Sequence, residues 1–395
     1  VVVCNDGVGS PNKGDQAILR AMLRELSAIE GVQIACFPFS GGRRPRERLR
    51  LLWAVVRADV FVLGGGHPFQ DLTSQLFLLF GLALILLAKL TGATAICYAV
   101  GVGPIGSRLG RAVTGRVLRY ADEILVRDPV SRDLLIALGV PSQRLTLTAD
   151  AAFALPAAPA ERVDAILRAE GLAPAAGPWI AVCPRRWFTF RHRLLPAEFY
   201  RRSESEEAAT GAVTRALVEL LDWLCGEQGF HVLFVPSRRS ILAGRDRGQD
   251  DDLYSREILA AMGHGDRATV LAGDYEPEEL KGILARMDLV LSVRMHPLVF
   301  ASACGVPVIG IPFTRAKGEG LFSLLGLDSY LDIEAVDGER LRQLFLATWE
   351  RREEIREQLR RRAPELARAA RRNAEALCRH VDAARARRAR GGGRR

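Results

Sequence analysis

Short apolar runs alternate with amphipathic stretches along most of the chain. VVVC (1–4), VQIACF (32–37), ADVFVLGGG (58–66), TAICYAVGVGP (94–104), EILVRD (123–128) and LTLTAD (145–150) read as strands. Helical periodicity follows at 15–30, 74–90, 107–120 and 129–138. Strands that are apolar throughout, each followed by a helix, predict a parallel sheet covered on both faces with right-handed crossovers. The segment 151–178, rich in Ala and Pro around one short helix, reads as an interdomain connection.

The alternation then restarts. WIAVCPR (179–185), FHVLFVPS (230–237), RATVLAG (267–273), MDLVLSVR (287–294) and PVIGIPF (307–313) read as strands. Helices are expected near 210–228, 253–262, 276–286, 297–304 and 319–326, and 335–389 reads as helices that could pack back across both halves. Residues 188–210 fit neither period and read as a loop insertion. The expected architecture is α/β, with two Rossmann-like doubly wound domains facing across a cleft. These would span 1–155 and 179–334, joined by a linker at 156–178, then helices at 335–389 and a disordered basic tail at 390–395. A length of 395 residues suits that division.

Composition adds three points. The longest apolar run, Leu76 to Ala88, is 13 residues and ends at Lys89. A membrane-spanning helix needs about 20 apolar residues. The run therefore reads first as a buried core helix, and second as a helix that also touches a membrane surface. The seven cysteines form no C-x-x-C and no zinc spacing, so reduced thiols in a cytoplasmic protein are expected. No secretory signal is visible. Hydrophobic residues at 49% and charged residues at 26% give the balance of a soluble globular chain.

The net charge of +9 is unevenly placed. Residues 351–395 hold 16 Arg against 6 acidic residues, which leaves 1–350 at a net of −1. The tail reads first as a solvated helix running into GGGRR. A basic tail can also reach anionic lipid at the inner face of a membrane; nucleic acid is not an expected partner. Only four of 55 basic residues are lysine: Lys13, Lys89, Lys281 and Lys317. Arginine does not replace lysine where a compact or titratable amine is needed.

In doubly wound sheets ligands bind beyond the carboxyl ends of the strands, so the loops there matter most. The first runs Asn5-Asp6-Gly7-Val8-Gly9-Ser10-Pro11-Asn12-Lys13-Gly14-Asp15. It fails the Rossmann fingerprint and the P-loop, because Asn12 stands where both need glycine. Glycines and a lysine before a helix N-terminus still favour an anion. Asp15 is either a helix cap or a base facing the cleft. The next loops are Gly64-Gly65-Gly66-His67-Pro68 and Gly101-Val102-Gly103-Pro104. Bare backbone there lets a ligand approach closely, while His67 reads more readily as a polar loop residue than as a catalyst. Arg127 ends its strand and either reaches a carboxylate or phosphate or pairs with a local acid.

Arg294 and His296, two apart in Ser292-Val293-Arg294-Met295-His296-Pro297, share a face of extended chain at a helix start. Lys317 lies beyond the next strand, so Arg, His and Lys gather at neighbouring strand ends. The run Gln249-Asp250-Asp251-Asp252 could hold a cation but reads first as a solvated loop.

With these residues in hand, the chain resembles the polysaccharide pyruvyltransferase family. The resemblance rests on NKGDQAIL (12–19), VLGGG (62–66), YAVGVGPIGS (98–107), VRDPVSRDLL (126–135), LTADAAFAL (147–155) and SVRMHPLVFASACGVPVIGIPF (292–313), with Lys317. It implies a fold like the two-domain GT-B glycosyltransferases. It implies transfer of pyruvate from phosphoenolpyruvate onto two hydroxyls of one sugar, giving a cyclic ketal and phosphate. The nearest branch modifies N-acetylmannosamine in secondary cell-wall polymers that S-layer proteins grip, which makes a lipid-linked acceptor the expected partner.

By the same resemblance Arg127, His296 and Lys317 contact phosphoenolpyruvate and Asp15 works at the acceptor, while Arg294 joins the donor contacts from local geometry. Asn12, Gly65, Gly66, His67 and Gly101 are the expected acceptor contacts. Phosphoenolpyruvate is a co-substrate, and neither a metal nor a bound cofactor is expected. Ser10-Pro11 departs from the usual shorter turn. Two rival readings share these features in part: a GT-B glycosyltransferase using a nucleotide sugar, and a non-catalytic binder of glycan or nucleic acid.

Overall fold

The computed structural model describes residues 1–39, 45–72, 74–172, 177–186, 204–239 and 250–392. Six strands, β1 (Val2–Cys4), β2 (Ala35–Phe37), β3 (Val60–Gly64), β4 (Thr94–Val100), β5 (Glu123–Val126) and β6 (Leu145–Leu147), form one sheet in the order β2-β1-β3-β4-β5-β6. A second sheet of five, β7 (Trp179–Cys183), β8 (His231–Phe234), β9 (Ala268–Val270), β10 (Leu289–Ser292) and β11 (Val308–Gly310), runs β11-β10-β7-β8-β9. Every pairing in both is parallel. The strand order reverses between β1 and β3 in the first sheet and between β7 and β10 in the second. Those two switch points are where such sheets open a crevice.

Helices cover both faces. The first sheet carries α1 (Lys13–Ser27), α2 (Pro45–Arg57), α3 (Gln75–Leu90), α4 (Arg108–Leu118) and α5 (Pro129–Ala137). The second carries α6 (Ala160–Ala169), α7 (Glu204–Gly226), α8 (Asp251–Ala261), α9 (Pro277–Leu284), α10 (Met295–Ala303) and α11 (Arg315–Leu325), then α12 (Gly338–Glu350) and α13 (Arg352–Arg387). Starts follow local chemistry. Asn12, Ser74, Ser107 and Asp128 cap α1, α3, α4 and α5 by accepting from backbone N–H groups of the first turn.

The long helix α13 ties the halves together. Ile355, Leu359 and Leu366 are buried with the second sheet's core, while Leu377, Val381 and Ala384 are buried against Val60, Val62 and Ile96 of the first. Each of these Ile, Leu and Val side chains contributes about 1.5–3 kcal/mol by leaving water.

Four expectations change. Residues 45–57, to which the alternation assigns nothing, form α2. The segment read as a connection is packed: Leu155, Val163 and Ile166 enter the second sheet's core, and Lys281 Nζ donates to the carbonyl of Leu155 at 2.6 Å. The expected 188–210 insertion lies mostly outside the described residues, and its last part, 204–210, is the start of α7. Of the tail expected to be disordered, 390–392 continue a helical turn and 393–395 lie outside the described residues.

Candidate active site

The loop after β1 is stitched across to the second sheet. Lys13 N donates to Ser237 O at 2.9 Å, and Lys13 Nζ pairs with Asp274 at 2.9 Å. Asn12 caps α1 through Gly14 N (3.1 Å), and its Nδ2 donates to Asp15 Oδ2 at 2.8 Å. Asp15 thus sits in the first turn and the cap is Asn12. Between them, Gly14 faces the second sheet: a Cβ there would fall 1.9 Å from His296 Nδ1. Only a residue without a side chain lets the α10 turn seat its histidine on the start of α1.

The glycine loops behave alike. Gly66 has φ +70° and its Cβ position lies 3.9 Å from Asp15 Oδ1. A Cβ on Gly101 would strike His67 at 2.4 Å, so Gly101 makes room for that ring. Gly65, at φ +83°, packs instead on Asn5 and Ile18.

His67 Nδ1 lies 2.6 Å from Arg127 Nη2, and Arg127 Nη1 donates to Asp150 Oδ2 at 2.6 Å. Burial and the neighbouring Arg127 charge hold His67 neutral, far below its ordinary range. An imidazole facing a guanidinium must accept at Nδ1, which leaves its Nε2–H as a donor. His296 Nε2 approaches the same Asp150 oxygen at 3.7 Å and is buried without a hydrogen-bond partner. Burial lowers the proton affinity of His296, opposed by Asp150 and Asp15. His67, Arg127, Asp128, Asp150, Met295 and Lys317 line one pocket closed by Phe153, Val299, Leu321 and Leu324.

Lys317, in the first turn of α11, makes no ion pair among the described residues. Burial first, then repulsion from Arg185 and Arg127, brings it from the ordinary 10.5 down to about 7. Arg185, two residues beyond β7, stacks on Phe313 at 4.3 Å and has a buried Nε without a hydrogen-bond partner. Burial and the nearby Arg294 bring it down to about 9. Cations crowded so that they hold protons poorly make a site awaiting an anion. On the other side, burial and the Asp15 charge push Asp6 up to about 8, so one carboxyl of that pair keeps a proton near neutrality.

Arg294 is placed differently from its expectation as a donor contact. Its Nε and Nη2 donate to Asp251 at 2.8 and 2.6 Å, and both residues are buried. The acidic run read as a solvated loop or cation site is neither. Asp250 caps α8, Asp251 takes Arg294 and Ser237 N, and Asp252 takes Arg239 and Arg256. A run at a helix start has caps and dipole to satisfy before it can hold an ion.

A family model for polysaccharide pyruvyl transferase matches residues 12–313, from the cap of α1 to the loop before α11. The chain belongs to the polysaccharide pyruvyl transferase family. Among relatives of this member, the amylovoran biosynthesis protein AmsJ of Erwinia amylovora is 24% identical over 275 residues, 68% of this chain. The chain spans 60% of the length of that relative. Solved structures share its fold at low identity. A UDP-GlcNAc 2-epimerase from Neisseria meningitidis superposes with a TM-score of 0.60 at 11% identity, covering 96% of this chain and 98% of that one. A glycosyltransferase from Rickettsia africae gives 0.58 at 12%, covering 96% and 97%. The Anabaena protein HepE bound to UDP-glucose gives 0.55 at 14%, covering 95% and 98%. This pyruvyl transferase family member is therefore a two-Rossmann, GT-B-like α/β protein.

Four residues at the site have no place in the sequence-level assignment: Gly14, Asp150, Arg185 and Asp6. Arg185 had a signal, since it follows a strand that the topology puts at the switch point. Gly14 and Asp150 acquire meaning only through contacts with a histidine 282 and 146 positions away.

Proposed function

We propose that this protein transfers pyruvate from phosphoenolpyruvate to two hydroxyls of one sugar, forming a cyclic ketal and releasing orthophosphate. The observation that carries the reading is a pocket lined by His67, Arg127 and Lys317, with Arg185 and His296 close enough for their charges to be felt there, and with Lys317 holding a labile proton and no ion pair among the described residues. Phosphoenolpyruvate offers a phosphate and a carboxylate on neighbouring atoms, and such a donor needs several cations in a small volume.

In this reading Arg127, Arg185 and Lys317 bind the two anionic groups, and Arg294 fixes the turn before His296 by holding Asp251. Donor phosphate restores the proton affinity that burial takes from His296. The imidazolium then protonates the methylene carbon while one sugar hydroxyl attacks the adjacent carbon, its proton passing to Asp15. The second hydroxyl attacks the same carbon, the carbon–oxygen bond to phosphate breaks, and the second proton leaves on phosphate or the neutral His296. General acid and base roles of this kind are each worth about 10²–10⁴-fold. Asn12, Gly66, His67 and Gly101 border the acceptor side, with Gly65 behind them. Resemblance to the secondary cell-wall branch makes lipid-linked N-acetylmannosamine the first acceptor to try, and the relative named for amylovoran biosynthesis makes amylovoran the second.

The test is incubation with phosphoenolpyruvate and a panel of soluble and lipid-linked saccharides. The product should gain one pyruvic acid less one water, with one orthophosphate released per product. Release of a nucleoside phosphate from a nucleotide sugar, with no product from phosphoenolpyruvate, would establish the glycosyltransferase instead.

A further inference from the structure

Helix α3 carries one charged residue, Lys89, among sixteen, and Lys89 is paired with Asp122. Its inner face is buried through Leu78, Leu82, Leu84, Ile85 and Ala88. Its outer stripe is just as apolar, yet Leu76, Ala83, Leu86 and Leu90 are exposed, Leu90 to 76%. A helix that is hydrophobic all round is ordinarily covered all round. The neighbours extend the stripe rather than cover it. On α2, Leu49, Trp53 and Val56 share a helical face and are exposed, Trp53 to 64%. On α4, Leu109 is 58% exposed. Both helices pack beside α3.

Charge frames this patch. Together α2 and α4 carry seven arginines, all exposed, against one acidic residue, Glu47, in a chain whose first 350 residues sum to −1. The guanidinium of Arg57 lies 4.7 Å over the Trp53 ring. The basic C-terminal arm comes off at the same end: Arg388 pairs with Asp59, just after α2, and Arg387 donates to Thr94, just after α3.

We propose that the α2–α3–α4 face docks on an anionic membrane surface. The leucines and Trp53 enter the boundary of the acyl region, and the arginines lay their stems along it and set their heads among the phosphates. A second copy of the chain is a poor occupant, since a twofold contact would set the same arginines against one another. The arm supplies the second signal that stable interfacial anchoring needs. No residue of the catalytic reading takes part, so this proposal stands without it.

The experiment is cosedimentation of the full chain with vesicles of phosphatidylcholine alone and of phosphatidylcholine mixed with phosphatidylglycerol, alongside its solution mass. Binding to the mixed vesicles, weakened by salt, is expected. The pair Leu86→Glu and Leu90→Glu should weaken it about tenfold or more with helix content unchanged. Should that pair fold poorly, Arg48→Glu with Arg50→Glu reads the same face from its charge. Deleting 389–395 should weaken binding less than either. Wild-type chain that ignores the mixed vesicles would overturn the proposal. So would face variants that bind like wild type, or a wild-type dimer that the leucine variants split.

Discussion

Among the described residues two buried Arg–Asp pairs have their arginines just beyond strand ends, and they are built to opposite purposes. Arg294 meets Asp251 through two hydrogen bonds, and Asp251 has its remaining valence filled by Ser237 N. That pair is closed. Arg127 gives Asp150 one hydrogen bond, spends another nitrogen on His67, and leaves the second Asp150 partner, His296, at 3.7 Å. Asp150 also accepts from Ala152 N at 3.0 Å, yet His296 Nε2 beside it is buried without a hydrogen-bond partner; that pair is open, and among the described residues the neighbouring Lys317 and Arg185 form no ion pair. A closed pair fixes a backbone; an open one keeps capacity for a ligand. Both were plausible ligand arginines from sequence, and the partner decides between them.

The comparison breaks first through stability. Removing Asp251 leaves a buried guanidinium uncompensated, so Asp251→Ala should cost about 3–5 kcal/mol in denaturant unfolding. Asp150→Asn, which keeps one acceptor for Arg127, should lose far less stability and far more turnover. Equal stability losses in the two variants would erase the distinction.

His296→Ala comes next, with an expected loss of about 10²-fold or more in turnover and little change in unfolding. Gln at the same position sharpens the role, because rescue would point to phosphate binding and lack of rescue to proton transfer. A less stable His296→Ala with normal turnover per folded molecule would make the histidine structural.

Gly14→Ala should cost about 10²-fold in turnover, since the methyl must displace His296 from a seat 1.9 Å away. On helix propensity alone the same change should stabilise by about 1 kcal/mol. Normal kinetics would show that the histidine has room to spare.

The smallest effect concerns Lys317. Lys317→Arg keeps the charge but presents a flat fork, and should raise KM for the donor about tenfold, the worth of one charge-assisted hydrogen bond. Without donor, its folded value of about 7 lies below the ordinary 10.5. Across that window the unfolded chain holds the extra proton, so stability should rise with pH there, and Lys317→Met should flatten the rise.

The legibility of the fold and the site follows physical lines. Strand–loop–helix alternation is local, so the two parallel sheets and the returning C-terminal helices were visible in apolar periodicity. The Asn-x-Gly-Asp and Arg-x-His-Pro segments stood out because charged and polar residues gather there just beyond strand ends, where such sheets bind ligands. Arg294 was misplaced because its partner lies 43 residues away on α8. Gly14 was silent because a missing side chain signals nothing until its neighbour is known. The outer stripe of α3 was hidden for a different reason: a helix apolar on all sides does not say which face is packed.

The central claim is that the open pair and its free cations bind an anionic donor. Calorimetric titration of phosphoenolpyruvate into the acceptor-free protein, in buffers of differing ionisation enthalpy, tests it most directly. Binding with net proton uptake is expected near neutrality, weakening as pH rises above the Lys317 value of about 7. Lys317→Met should lose most of the uptake and much of the affinity. No binding, or binding in Lys317→Met with undiminished affinity and proton uptake, would contradict the account.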